Sequence, residues 1–235
     1  MITEKLQNSY KEGLKKGIPI ALGYLSVAFG FGITAVSKGL APLEAILISA
    51  TNMTSAGQLA GVSVIAACGT IFEMILTQLI INIRYCLMAL ALTQKLDFRY
   101  STFHRLFTAF GITDEVFAVA SAEDGLLGKR FMYGLITLPY IGWTVGTILG
   151  VYADNILPEM VCSALGIAIY SMFVAIVVPP SRDDKGVFWT VLISAVMSCI
   201  FFYLPIFSGL SQGFSIIICA FFAAGVMAYI APREE

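Results

Sequence analysis

Asp114 and Glu115 stand side by side in AFGITDEVFAVA, the stretch from Ala109 to Ala120, between two apolar runs and with nothing nearby in sequence that obviously neutralises them. Two chemistries fit. In one, Thr113 is the N-cap of a helix and the acids occupy its first turn, where negative charge suits the helix dipole. In the other, the acids are functional. An acidic side chain at the centre of a bilayer costs about 2.5–3.5 kcal/mol on insertion scales, and such residues usually face a cavity. One carboxylate could hold an ammonium group or a proton, and two adjacent ones repel, which makes a protonation switch a natural use for them.

Two further groups could do chemistry with them. Arg84, in NIRYC (Asn82 to Cys86), lies well inside an apolar run. Either it snorkels to the interface, or it pairs with Asp114, Glu115 or a substrate carboxylate. Gln78 and Asn82 share a helix face at i, i+4 and would line a polar path, with Tyr85 beside Arg84. The other group is the polar stretch SATNMTSAGQLAG (Ser49 to Gly61), which offers Asn52, Thr54, Ser55 and Gln58. These residues either pack and satisfy a kinked helix or, with freed backbone groups, coordinate a ligand. Glu73 is read as an interfacial charge.

Several classes of chemistry are disfavoured. The five cysteines (Cys68, Cys86, Cys162, Cys199, Cys219) have no metal-ligand spacing and read as packing residues. The single histidine, His104, rules out a multi-histidine metal site, and no Gly-Lys-Ser/Thr phosphate loop is present, so ATP hydrolysis by the chain itself is not expected. Contiguous acids cannot flank a substrate as a catalytic dyad would, and no Ser/His pair accompanies them. The chain is therefore not expected to be an enzyme, to carry a cofactor or to bind nucleic acid.

The elements that position these residues follow from composition. Of 235 residues, 58% are hydrophobic and 12% charged, with mean hydropathy +0.87, against roughly 45–50% and about 25% in soluble domains. Long apolar runs without alternation predict an all-α, polytopic membrane bundle rather than a β-barrel. Eight segments are expected: Gly17 to Val36, Leu43 to Cys68, Ile71 to Thr93, Phe103 to Ala122, Phe131 to Tyr152, Val161 to Val178, Val187 to Phe207 and Phe214 to Ile230. They form a single transmembrane domain over 17–231, followed by a cytoplasmic tail, 232–235. Residues 1–16 end in no cleavable site, so the first span serves as the targeting signal. Leu6, Tyr10 and Leu14 recur opposite lysines, which suits a short amphipathic helix on the cytoplasmic bilayer surface.

The second and fourth segments each read as two short helices meeting at a polar break. If both are re-entrant, Lys5, Lys11, Lys15, Lys16, Lys95, Arg99, Arg105, Lys129, Arg130, Arg182, Lys185 and Arg233 fall on one side and Lys38 alone on the other. The positive-inside rule favours that arrangement, with the N-terminus cytoplasmic, over one in which both segments cross as discontinuous helices. The breaks resemble each other weakly: Ser49, Ala50, Met53 and Thr54 lie over Thr108, Ala109, Ile112 and Thr113. Hairpins entering from opposite sides would make an inverted repeat, and transporters often bind substrate where such breaks meet. Gly142, Gly146 and Gly150, at four-residue spacing, predict a close helix contact inside the chain or with a partner in a higher oligomer, and Pro139 predicts a kink.

NIRYCLMALALTQKL followed by FHRLFTAFGITDEVFAVA resembles the AzlC family, the large subunit of bacterial branched-chain amino acid exporters, over nearly the whole chain. Its most specific part is Thr113-Asp114-Glu115-Val116-Phe117-Ala118. Where relatives often read Gly-Ala-Ser-Gln this chain has Ser55-Ala56-Gly57-Gln58, and Tyr85 stands where His is frequent; both differences bear on substrate choice. The resemblance implies efflux of leucine, isoleucine, valine and sometimes methionine across the bacterial inner membrane, with a small AzlD-type membrane subunit. A zwitterion would then use Arg84 or a half-helix N-terminus for its carboxylate and Asp114 or Glu115 for its ammonium. Met53, Ile112 and Phe117 would supply apolar walls, and Asp114 and Glu115 the proton coupling. The alternatives are a channel-like permease for a small solute or ion, and a structural subunit whose partner carries the site.

Overall fold

In the computed structural model the described residues are 6–153 and 184–230, apart from 208 and 211, with single positions between 160 and 182. The elements run β1 (Leu6–Gln7), α1 (Tyr10–Ser37), α2 (Pro42–Thr51), α3 (Ala56–Ala66), α4 (Ile71–Thr93), α5 (Thr102–Phe110), α6 (Asp114–Ala122), β2 (Leu126–Leu127), α7 (Lys129–Ala153), α8 (Lys185–Tyr203) and α9 (Gln212–Ile230). Five of these helices are long and apolar enough to cross a membrane: α1, α4, α7, α8 and α9. The expected segment over 161–178 lies outside the described residues, single positions aside.

Glycine fixes the central pair. A Cβ on Gly17 would lie 2.8 Å from the Leu135 carbonyl oxygen, and one on Gly142 would lie 2.5 Å from that of Ala21. Gly146 and Gly150 press in the same way on Leu25 and Phe29. The residues in contact follow the same order along both helices, so α1 and α7 run parallel, at a separation only small residues allow. The expected contact at Gly142, Gly146 and Gly150 is thus made inside the chain. The helix continues through Pro139.

The N-terminal stretch differs from the expected surface helix. Leu6–Gln7 is a strand, paired in parallel with Leu126–Leu127, and the helix that begins at Tyr10 is continuous with the span. Gly13 and Gly17 extend the small face of α1 downward, so its first turns pack on Phe131 and Leu135 instead of lying flat. Leu127 also pairs with the chain after α4: Asp97 N donates to Leu127 O at 3.0 Å, and Leu127 N to Lys95 O at 2.7 Å. A small clasp therefore closes this end of the bundle.

Both broken segments are hairpins. Helix α2 begins with Pro42 in its first turn and stops at Asn52; α3 starts after Ser55 and runs back. Lys38 Nζ donates to Ser63 Oγ at 2.9 Å, and Leu40 shares a buried cluster with Val62. The first hairpin thus leaves at the end where it entered, beside the C-terminus of α1. The second does the same at the opposite end. Lys95 Nζ donates to the carbonyls of Ser121 and Glu123, Lys16 pairs with Glu123, and His104 near the start of α5 meets Tyr133 at 2.5 Å. The tips of the two hairpins converge within one core cluster, where Met53 and Ile112 are buried with Tyr24, Leu135 and Trp143. On α4, Ile75, Leu79, Ile83, Leu87 and Leu90 are exposed, an apolar stripe facing outward, while Gln78, Asn82 and Arg84 turn toward the hairpins.

Candidate functional site

The first tip is held by its own polar residues. Asn52 Oδ1 accepts from Thr54 N at 3.0 Å, which turns the chain out of α2. Ser55 then takes φ 41°, a left-handed backbone uncommon outside glycine and worth about 1–3 kcal/mol of strain. Gln58, 2% exposed, holds it there: its Oε1 accepts from Ser55 N at 3.3 Å and its Nε2 donates to Ser49 Oγ at 3.1 Å. Ser49 Oγ in turn shares a 2.7 Å bond with Thr147 Oγ1 on α7, and Tyr140 OH donates to Ala50 O at 3.0 Å. Gln58 and Asn52 therefore set the shape of the tip.

The second tip combines both readings of its acids. Thr113 Oγ1 accepts from Val116 N at 3.3 Å and is the N-cap of α6, which puts Asp114 and Glu115 in the first turn. Asp114 is also paired: Arg84 Nη2 lies 3.0 Å from its Oδ2. The same guanidinium sits over the Tyr85 ring, 5.1 Å from its centroid, and donates to the Tyr85 hydroxyl at 3.4 Å. That hydroxyl donates to Thr54 O at 3.4 Å, so Arg84 and Tyr85 bridge the two tips. Glu115 accepts from Tyr24 OH of α1. Among the described residues, Asp114 is thus paired with a cation, while Glu115 is held by a neutral hydroxyl.

Between the tips is a small cavity of about 10 Å³, bounded by Met53, Ser55, Tyr85, Trp143 and the Tyr24–Glu115 pair, with Thr113 and Asp114 completing the wall. That is room for about one water. Among the described residues, Trp143 Nε1 in the cavity wall is buried without a hydrogen-bond partner, as are Arg84 Nε, Thr54 Oγ1 and Asn82 Oδ1 on residues next to or behind that wall. Unsatisfied buried groups are rare in folded proteins and call for a bound polar species or a second conformation that satisfies them.

Gln78 and Asn82 share a face as expected, but they stand behind the cavity. Gln78 Nε2 donates to Gly57 O at 2.8 Å and Asn82 Nδ2 to Gln78 Oε1 at 2.9 Å. A Cβ on Gly57 would come 2.9 Å from the Asn82 amide, so this glycine lets α3 approach α4. Glu73 is buried, 4% exposed, and accepts from Gly213 N at 3.0 Å. It is tucked under the start of α9 instead of lying at an open interface. Tyr24 and Trp143 were not singled out from sequence, although both line the cavity, ring centroids 5.2 Å apart in an edge contact. Their signal was available: Tyr and Trp normally gather at the membrane interfaces, and these two sit in the middle of long apolar helices.

The family described as AzlC protein matches residues 19–157. This chain belongs to the AzlC family. Relatives within curated proteins agree with that placement. An uncharacterized membrane protein of Archaeoglobus fulgidus is 34% identical over 174 residues, 72% of this chain and 75% of its own length. The inner membrane protein YgaZ of Escherichia coli is 27% identical over 206 residues, 84% of each chain. A Helicobacter pylori membrane protein is 24% identical over 145 residues, covering 60% of this chain and 63% of its own. No solved structure matches the chain. Like these AzlC-family relatives, the chain is a membrane protein, and both hairpins with all the residues of the central cavity fall within the matched 19–157.

Proposed function

We propose that the protein is a secondary exporter of hydrophobic amino acids, leucine, isoleucine, valine and methionine among them, working by alternating access and driven by the proton gradient. The observation that carries this reading is the meeting of two hairpin tips, from opposite ends of the bundle, around Arg84, Asp114 and Glu115. With Arg84 set against Asp114, Glu115 leaves one negative charge over. A substrate ammonium or a proton can neutralise it, but not both together, so the two compete and the carrier exchanges one for the other. The substrate carboxylate is taken by Arg84 or the N–H groups opening α3. Met53, Ile112 and Phe117 supply apolar walls, as in small-molecule sites generally.

An aliphatic amino acid is several waters in volume, so a cavity of about 10 Å³ represents a closed arrangement. The tips must part to admit substrate, which favours a carrier over an open channel. We read the hairpins as re-entrant. The rule for basic residues then places the clasp end, with Lys11, Lys15, Lys16, Lys95, Arg99, Arg105, Lys129 and Arg130, in the cytoplasm and Lys38 outside. The protein is assigned to the inner membrane, with a small AzlD-type subunit as partner.

The test is transport in proteoliposomes carrying the protein with and without that subunit. Labelled leucine should move in a saturable way, concentrate against its gradient when a pH difference is imposed, and exchange with unlabelled leucine across the membrane. Flux that rises linearly with concentration and never exceeds equilibrium would identify a channel and remove the exporter reading.

A further inference from the structure

A second cavity, about 390 Å³, opens beside the clasp, at the end of the bundle where α1, α5 and α7 begin. Its polar lining is Asn8, Asp97, Arg99, Tyr100, Lys129 and Arg130. Three cations therefore converge on it with one acid. That acid, Asp97, is 8% exposed and turns Oδ1 to the backbone N–H of Arg99 at 3.3 Å. Asn8 is likewise occupied, accepting from Arg130 N at 3.0 Å. The ion pairs among the described residues are Lys16–Glu123 and Arg84–Asp114, so Arg99, Lys129 and Arg130 have no carboxylate of their own there. Lys129 Nζ shares a 3.3 Å bond with His104 Nε2, and the Arg99 guanidinium lies over the Phe98 ring at 5.3 Å.

The surroundings say what kind of anion fits. Phe98 and Phe103 are 80% and 72% exposed beside the pocket, and Leu106, Phe107 and Phe110 continue the exposed apolar face along α5. This ridge leads from the basic pocket toward the depth at which the hairpin tips meet. A charged cup at the end of a membrane bundle, continuous with an outward apolar ridge, matches a ligand with an anionic head and hydrocarbon tails. We propose that this pocket binds the phosphate of an anionic phospholipid, whose acyl chains lie along α5. The inference needs only a bilayer and stands apart from the exporter reading. Because Lys129 is bonded to His104 of α5, the lipid would also brace the entrance of the hairpin that carries Asp114 and Glu115.

The experiment is thermal unfolding of the purified full chain in a neutral detergent, titrated with phosphatidylglycerol, phosphatidylcholine or inorganic phosphate. Phosphatidylglycerol is expected to raise the melting temperature saturably, while the other two have no effect at equal concentration. Replacing the pocket cations together (R99Q, K129Q, R130Q) should raise the half-saturating lipid concentration roughly 100-fold, about five-fold for each cation that contacts the phosphate directly. The triple variant K11Q, K15Q, R105Q removes equal charge from the same end outside the pocket and should leave the midpoint in place. Should the pocket triple variant not be recovered folded, Arg99→Gln alone, on an exposed loop, is expected to raise the midpoint about five-fold. The proposal is overturned if inorganic phosphate reproduces the stabilisation, which would mark a free-anion site. It is equally overturned if both triple variants weaken binding alike, which would mark a diffuse field, or if the pocket variants bind as wild type does.

Discussion

Replacing Glu115 by Gln separates the structural from the coupling role of the acidic pair. The cap of α6 is Thr113, whose Oγ1 accepts from Val116 N, so the substitution removes no capping bond. Gln Oε1 can still accept from Tyr24 OH, which is Glu115's partner. What the substitution loses is the charge-assisted part of that bond, about 1 kcal/mol, and the favourable placement of negative charge in a first turn, about 0.3–1 kcal/mol, so the melting temperature should fall by only a few degrees. Transport should change far more. A pH difference of one unit is worth about 1.4 kcal/mol per coupled proton and can sustain about a ten-fold leucine ratio. In proteoliposomes under that gradient, wild type should approach this ratio for each proton exchanged, whereas Glu115→Gln, which loses the ammonium's partner together with the titrating group, should need more leucine to half-saturate and settle near unity while still exchanging labelled for unlabelled leucine at saturating concentration. Asp114→Asn should also cost stability, because it strands Arg84 without its ion-pair partner. If Glu115→Gln, Asp114→Asn and the double variant all hold the wild-type ratio with unchanged pH dependence, the two carboxylates are structural and coupling lies elsewhere, with Glu73 the next buried acid to examine.

Tyr24→Phe keeps the ring against Trp143 but deletes the hydroxyl that holds Glu115; losing a hydrogen bond to a charged group, about 1.5–3 kcal/mol, should raise the half-saturating leucine concentration ten-fold or more, and an unchanged value would release Tyr24 from the site. Gly146→Leu drives a side chain into Leu25 and Ala28; overpacking of about 1–3 kcal/mol or more should appear as a lower melting temperature and poorer recovery, and a protein as stable as wild type would contradict the close α1–α7 contact. For the hairpins, in a background free of native cysteines, Lys38→Cys should react with an impermeant thiol reagent on intact cells while Ser101→Cys resists it. Labelling of Ser101→Cys from outside would mean that the second hairpin crosses.

Much of the architecture was written in local chemistry. Apolar length set the spans, and each break fell where the apolar run is interrupted: Asn52 turns the chain by accepting from Thr54 N, and Gly111 ends α5. The Arg84–Asp114 pair was legible for a similar reason, since a lone intramembrane cation needs a partner and the candidates were few. Tyr24 and Trp143 were not, because an aromatic residue in a span packs far more often than it binds, and only the fold shows which ones meet the acids. Nor was the clasp: Leu6–Gln7 and Leu126–Leu127 are two residues each and pair across the whole length of the intervening chain, so no local pattern announces them. Gln78 and Asn82 had the right face but a different neighbour, because the approach of α3 at Gly57 depends on a glycine whose contact is tertiary.

The faint likeness between the two breaks extends further than the residues that revealed it. The shift that carries Ser49 onto Thr108 also carries α2 (Pro42–Thr51) onto 101–110, where α5 occupies Thr102–Phe110, and α1 (Tyr10–Ser37) onto 69–96, where α4 occupies Ile71–Thr93. A long helix followed by two short ones thus occurs twice, with the hairpins entering from opposite ends. The chemistry does not repeat with the backbone. Asp114 and Glu115 fall over Ser55 and Ala56, and Arg84 over Leu25, so the acids and their cation belong to the second half. The first half supplies Tyr24, Met53 and the strained Ser55 turn. A symmetric pair of acidic tips would place four carboxylates around one small cavity, with mutual repulsion and no matching cation. On the exporter reading, keeping charge on one tip and hydrogen-bonding or apolar groups on the other would give a zwitterion distinct ends to meet, and would leave the uncharged tip free to move without carrying an ion through the membrane.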